Sequence, residues 1–443
     1  MARLRCGFGA ADITPAKRCE LAGYGPDLRR VWDDILDPLF VRVLVLERGG
    51  ARLIIAAFDV LGFTPAWARR FKGLVSQMTR TPAPHILLAA THTHSAPAAQ
   101  PLRHWGEQVR GTLPRMEKGF LKALRKARKT LRPVVDVTER VARASTLLFN
   151  RDAFANEVAP EERTDPYVRA LVFRSRGVTR ALLSFGCHPV VLGPNYAVSA
   201  DYPGALLREL AGVGVEGLFL LGAHGDVDPI VQTRKGWGRG THQDVARMGR
   251  ALARRFARSR TRPVPLEGFR IAGREWNVRL PLDVPLLAEL ERLEKEARAK
   301  RQAEPGHPGC RHNRREGSDR RGRRPHLMVE WAREAQAAVR SGKARPTQRI
   351  TLQVLQVGPT SIVGIPMEVY AGVAARLRQA RTHRALWVVS GANGTVNYLP
   401  TRLAYERGAY SAHFAPKIYG LLGYRPEVAD VVTDSVLTHL DAG

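Results

Sequence analysis

Short apolar runs that end in polar clusters recur along this chain. Leu39 to Leu46 is a β-rich run, and Arg52 to Val60 follows it with Leu53-Ile54-Ile55-Ala56-Ala57-Phe58 at its centre. An unbroken apolar run of that length predicts a strand covered on both faces. Trp67 to Met78 carries helical spacing, and His85 to Ala90 is another short buried strand that runs into Thr91-His92-Thr93-His94. Arg180 to Gly186 ends at Cys187-His188-Pro189, and Gly217 to Leu221 ends at Gly222-Ala223-His224-Gly225-Asp226. Ser361 to Gly364 ends at Ile365-Pro366-Met367-Glu368, ahead of a helical run from Val369 to Ala380, and Ala385 to Val389 ends at Ser390-Gly391-Ala392-Asn393-Gly394. Strands alternating with helices, with polar residues at the strands' C-terminal ends, make the α/β arrangement, and those ends are where such sheets place ligands. The expected fold is therefore α/β, a mixed sheet flanked by helices, with one composite site built from strand ends. No internal repeat is visible in the sequence.

One region breaks the pattern. Leu286 to Lys300 reads as an amphipathic, charged helix. Arg301 to Pro325 is rich in Arg, Gly and His with almost no large apolar residue, which predicts a basic, flexible insertion (301–325) that packs no core. His307, Cys310 and His312 fall inside it at a spacing that fits no standard zinc module.

Composition narrows the class. A chain of 443 residues that is 44% hydrophobic is a globular protein with a sizeable core. No apolar stretch reaches the roughly 18 residues of a spanning helix. The first residues lack an apolar leader with a cleavage site, so an unprocessed, cytoplasmic protein is expected. Four cysteines without C-x-x-C spacing make no disulfide framework. Lys+Arg minus Asp+Glu is 70 − 41 = +29. Such a charge suits peripheral contact with an anionic membrane, and equally an Arg-rich solubilising surface. No nucleic-acid motif or aromatic stacking pattern accompanies it, so no specific nucleic acid is expected as a partner.

The sharpest local pattern is Thr91-His92-Thr93-His94-Ser95-Ala96-Pro97. If the strand continues through it, His92 and His94 face one side, and neutral imidazole is a common zinc ligand. An H-x-H pair alone fits a structural role as well. His188 fits either an ordinary hydrogen-bonded histidine or a ligand. Glu368 fits a helix N-terminal carboxylate or a metal ligand. Asn393 to Thr401 is a polar loop that contains Tyr398 and is followed by Tyr405 and Tyr410; a tyrosine near a cation can ligate it or donate to an oxyanion.

Taken in order, these segments resemble the neutral/alkaline, non-lysosomal ceramidases. The likeness runs from Gly7 to the C-terminal end, apart from the basic insertion. It rests on the G-x-A-D-I-T-P and G-Y-G pair within 7–25, T-H-T-H-S-x-P at 91–97, Asn150-Arg151, His188-Pro189, the P-x-E element at 366–372, and the spacing of Tyr398, Thr401, Tyr405 and Tyr410. The resemblance implies one ceramidase-like catalytic domain over 1–443, without the family's C-terminal immunoglobulin-like domain. It implies Zn2+ on His92, His188, Glu368 and Tyr398, with His94, Arg151 and Tyr410 around the substrate. Asp12 and Asp59 also match family positions, Asp12 as a turn residue and Asp59 as support for the metal shell. One position departs. The family's G-D-V-S-P-N reads Gly225-Asp226-Val227-Asp228-Pro229-Ile230 here, so Asp228 stands where the family has a catalytic serine. A second metal on Asp226 or Asp228 stays open.

The expected activity is hydrolysis of a lipid or small N-acyl amide such as ceramide. Asp228 serves as base, His94 serves the leaving nitrogen, and Tyr410 serves the oxyanion. A non-catalytic zinc-binding relative and a basic nucleic-acid-binding protein are the alternatives.

Overall fold

The computed structural model describes residues 3–25, 30–106, 108–235, 238–303, 323–380 and 385–441. Three sheets carry its architecture. The first is ordered Ile86–Ala90, Ala51–Phe58, Phe40–Arg48, Arg5–Asp12 and the short Arg132–Pro133. The second is ordered Val215–Leu221, Val178–Phe185, Tyr167–Ser175, Asp136–Arg143 and Arg260–Val264. The third is ordered Leu386–Ser390, Thr360–Ile365, Thr347–Val357 and Ile271–Pro281.

Each sheet follows one plan. Three consecutive strands pair antiparallel, and a parallel strand is then added at the edge. A parallel neighbour requires a crossover, because the chain must travel back before re-entering in the same direction. Helices Pro65–Thr79, Asp201–Gly212 and Ala371–Gln379 provide the three crossovers. The sequence shows no repeat, but the topology does. This mixed α/β organisation agrees with the fold class expected from the sequence, with three sheets in place of one.

The first crossover helix illustrates how local chemistry sets these elements. Thr64 accepts from the Trp67 amide at 3.2 Å as N-cap, Pro65 occupies the first turn, and Arg80 ends the helix in the left-handed region at φ 54°. Trp67, Ala68, Phe71 and Val75 recur at helical spacing and are buried. Trp67 and Phe71 pack with Phe58, Phe63 and Phe120. Burial of each such aromatic contributes about 1.5–3 kcal/mol, against about 1 kcal/mol for the Thr64 cap.

The glycines of the opening motif have a packing reason. A Cβ on Gly7 or Gly9 would lie 2.1 Å from the carbonyl oxygens of Ala127 and Ala123, so only glycine lets helix Thr112–Lys129 pack this closely on strand Arg5–Asp12. A common core then joins the sheets. Ile55 and Leu87 from the first meet Leu182 and Leu218 from the second, and Leu355 and Trp387 from the third. The parallel edge strands therefore meet at the centre, and their C-terminal ends converge.

The basic segment differs from its expected bounds. Helix Leu287–Ala303 runs into it from one side and helix Arg323–Arg340 begins within its far end. Leu290 and Trp331 bury against each other's helices. Residues 304–322, with His307, Cys310 and His312, lie outside the described residues. Among the described residues no helix is long and apolar enough to cross a membrane.

Candidate metal centre

Four buried side chains meet where the sheets converge. His92 follows the first sheet's edge strand, His188 and His224 follow the two parallel strands of the second, and Glu368 follows Thr360–Ile365 of the third. Their ligand atoms lie within 4.8 Å of one another. The Nε2 atoms of His92, His188 and His224 lie 3.3, 3.4 and 3.7 Å from Glu368 Oε2.

Backbone carbonyls fix the tautomers. His92 Nδ1 donates to Leu61 O at 2.7 Å, His188 Nδ1 to His224 O at 2.8 Å, and His224 Nδ1 to Gly222 O at 3.2 Å. A carbonyl only accepts, so each Nδ1 carries the proton and each Nε2 presents a lone pair. Three lone pairs then face a carboxylate oxygen. Among the described groups, His188 Nε2, His224 Nε2 and Glu368 Oε2 have no hydrogen-bond partner. Buried acceptors that face only one another repel, and a cation between them removes that cost. The residues therefore fit a metal ion, with carbonyls orienting the ligands from behind. Burial first, then neighbouring charges, holds His224 well below the ordinary histidine value and His188 below it, so both are neutral and ready to ligate. Burial raises the Glu368 carboxyl, yet charge and protons shared with His92 and His188 hold it well below the usual carboxylate range, so the gap between them favours a positive charge. The Tyr419 hydroxyl donates to its other oxygen, Oε1, at 2.8 Å.

His94 lies beside the cluster, its ring 5.0 Å from His92 and 5.6 Å from His188. Both its ring nitrogens are buried without a hydrogen-bond partner. Burial, then His92 and His188, keeps it well below the ordinary histidine value. Its ring packs against Gly23, where a Cβ would lie 2.6 Å away and φ is +114°. The G-Y-G motif is thus the wall behind His94. Buried Arg30 donates to the carbonyl of His94 at 2.8 Å.

The proposed strand alternation of His92 and His94 does not hold. The strand ends at Ala90, and His92 sits in the left-handed region at φ 65°. That conformation is strained for a residue with a Cβ and is held here by tertiary bonds, including His92 N to Val60 O at 2.9 Å. Asp59 supports the same turn, accepting from Arg42 at 2.8 Å and from the Thr91 hydroxyl at 3.2 Å. Asp12 accepts from the Thr14 amide at 2.7 Å, as a turn residue does.

The remaining expected residues form one flank. Arg151 Nη1 lies 3.4 Å from Asp228 Oδ1, and its Nη2 donates to Gly225 O at 2.7 Å and to the Tyr398 hydroxyl at 3.3 Å. Asp228 Oδ1 also lies 3.6 Å from His188 Nδ1, on the side of that ring away from Glu368. Tyr398 pairs with Glu368 across two short parallel strands, and its ring lies 6.2 Å from Tyr410. Burial, then Glu368, pushes the Tyr398 phenol well above its usual range. Asp226 spends both oxygens inside the protein, on the Ala371 amide at 2.8 Å and Asn150 Nδ2 at 2.7 Å. His224 was not among the expected ligands, although the strand-end pattern that singled out His188 contains it. Tyr419 had no distinguishing signal.

The fold is mixed α/β, and its strand ends bring together a buried three-histidine, one-carboxylate cluster that could hold a metal ion. No family model matches the chain, and no curated protein matches it by sequence. Solved structures do. Neutral ceramidase from Pseudomonas aeruginosa aligns with a TM-score of 0.72 at 17% identity, over 99% of this chain and 74% of the ceramidase. A ceramidase complexed with C2 gives 0.72 at 16% identity with the same coverage. The chain therefore has the neutral-ceramidase fold, as the sequence motifs implied.

Proposed function

We propose that this chain is a zinc-dependent hydrolase of N-acyl amide bonds, acting on ceramide or a related lipid amide to release a fatty acid and an amine. The observation that carries this reading is the convergence of three carbonyl-oriented imidazole lone pairs on Glu368 Oε2 within a ceramidase fold. His92, His188, His224 and Glu368 hold the ion, because three nitrogens and one oxygen are a ligand set that zinc accepts. Bound there, zinc supplies Lewis acidity toward an acyl carbonyl and lowers the pKa of water to about 7.

The chain's own groups divide the remaining work. His94 is neutral and has free ring nitrogens, so it accepts a proton from the attacking water and passes it to the leaving nitrogen. Asp228 takes a different place from its sequence expectation as base. It faces Arg151 and the Nδ1 side of His188, so it positions both. Tyr398, expected as a ligand, enters as a donor because His224 supplies the fourth ligand and burial keeps its phenol protonated. Tyr410 lines the approach beside it, and Arg151 holds a substrate oxygen. The net positive charge favours peripheral contact with an anionic membrane, where a lipid amide resides. One catalytic unit spans the chain in this reading.

The test is metal content and turnover together, in wild type and His92→Ala. The variant is expected to lose one zinc per chain and all hydrolysis of a panel of N-acyl amides beginning with ceramide. Unchanged zinc content in the variant sinks the metal assignment. Zinc lost from the variant, with no hydrolysis by wild type, replaces the enzyme with a non-catalytic metal-binding protein.

A further inference from the structure

A second convergence of ligand atoms lies outside this centre, and we propose that His104, His326 and Glu330 form a second zinc site. His326 and Glu330 are four residues apart on helix Arg323–Arg340, so they share a face. His104 reaches them from the loop between residues 101 and 106. Its Nε2 lies 2.8 Å from Glu330 Oε2, and His326 Nε2 lies 3.1 Å from Glu330 Oε1. The three ligand atoms fall within 4.8 Å of one another, and the imidazole rings are 5.3 Å apart.

Two further observations separate this group from a casual surface network. His104 holds the left-handed conformation at φ 56°, which is uncommon for a residue with a Cβ. The neighbouring Arg103 is fixed on both sides, through its amide to Ile418 O at 3.0 Å and its Nη1 to Glu334 Oε1 at 2.8 Å, one turn beyond Glu330. The loop is thus pinned in the posture that aims His104 at the helix.

The ligand chemistry selects the ion. Two imidazoles and a single carboxylate are too few oxygens for calcium or magnesium. They match a zinc site with three protein ligands and one open position. His104 and His326 also line a cleft of about 870 Å³, so an ion reaches them from solvent. Tyr419 lines the same cleft and donates to Glu368. An ion at the rim would clasp the 101–106 loop to the helix and stiffen a wall that contacts the central cluster.

The site is independent of the proposed activity, and metal titration tests it. Chelator-stripped protein is titrated calorimetrically with Zn2+, with circular dichroism as the check on folding. Wild type is expected to take up two equivalents, and His326→Ala or the near-isosteric Glu330→Gln one. A single equivalent in wild type that both substitutions leave in place, or a second equivalent that survives both, overturns the site. If His92→Ala binds as much zinc as wild type while His326→Ala binds one equivalent less, the rim site stands and the central one falls.

Discussion

Replacing His224 with alanine separates the ligand set assigned here from the set implied by the sequence resemblance, in which Tyr398 is the fourth ligand. The ring is 1% exposed, its Nδ1 donates to Gly222 O at 3.2 Å, and its Nε2 has no partner. A four-ligand zinc site is worth about 10–16 kcal/mol of binding free energy, so one ligand represents about 2.5–4 kcal/mol. That corresponds to roughly 10²–10³-fold in Kd at about 1.4 kcal/mol per decade. Without metal the balance differs. Truncation leaves a cavity and frees a carbonyl, but it also removes a buried acceptor aimed at a carboxylate, a group costing about 1–3 kcal/mol when unsatisfied. The metal-free variant should therefore melt close to metal-free wild type, while the zinc-loaded pair should differ clearly. Competition against a chromogenic zinc chelator gives the affinities, and thermal melts with and without zinc give the stabilities. Tyr398→Phe, measured alongside, should change zinc affinity less than tenfold. A His224→Ala affinity within threefold of wild type, or a larger loss in Tyr398→Phe, would refute the assignment.

Three further outcomes follow from the geometry. His94→Gln should lower turnover by about 10²–10⁴-fold with zinc content unchanged, as loss of a general base does, whereas Asp228→Asn should cost about tenfold or less; the reverse order returns the base role to Asp228. Gly23→Ala places a Cβ 2.6 Å from the His94 ring at φ +114° and should reduce turnover while zinc binding persists, and an unaffected kcat would show that the His94 wall is dispensable. Asp201 is buried, and its carboxyl is pushed up to about 7 despite three backbone N–H donors. A raised folded pKa means the native state holds a proton that the unfolded chain releases. Wild type should therefore lose up to about 4 kcal/mol relative to Asp201→Asn as pH rises from 4 through 7. A stability difference that stays constant with pH denies the shift.

The strands at the site were legible because burial on both faces forces continuous apolar runs, as in Ile54 to Phe58 and Ile86 to Ala90. The convergence of His92, His188 and Glu368 followed from the rule that such strands present ligands at their C-terminal ends. The division into three sheets was not legible, since pairing such as Thr347–Val357 with Ile271–Pro281 depends on partners far apart in the chain. Nor was the backbone of His92 legible. Its left-handed φ is imposed by Val60, Leu61 and the Asp59 turn, none of which leaves a hydrophobic period. The same limit applies to Asp228: residue type offered a base, and only the positions of Arg151 and His188 Nδ1 showed what it faces.

The three sheets of common plan also impose an order in time. The four side chains of the cluster come one from the first sheet, two from the second and one from the third, so they appear along the chain at 92, 188, 224 and 368. During synthesis the residues of the first two sheets, with all three histidines, leave the ribosome while the carboxylate of the cluster is still unmade. The last ligand emerges only with the third sheet, and Tyr419, which orients it, later still. A truncated or stalled chain thus carries histidines without the acid that completes the cluster. Assembly of the centre therefore reports that translation has passed all three sheets.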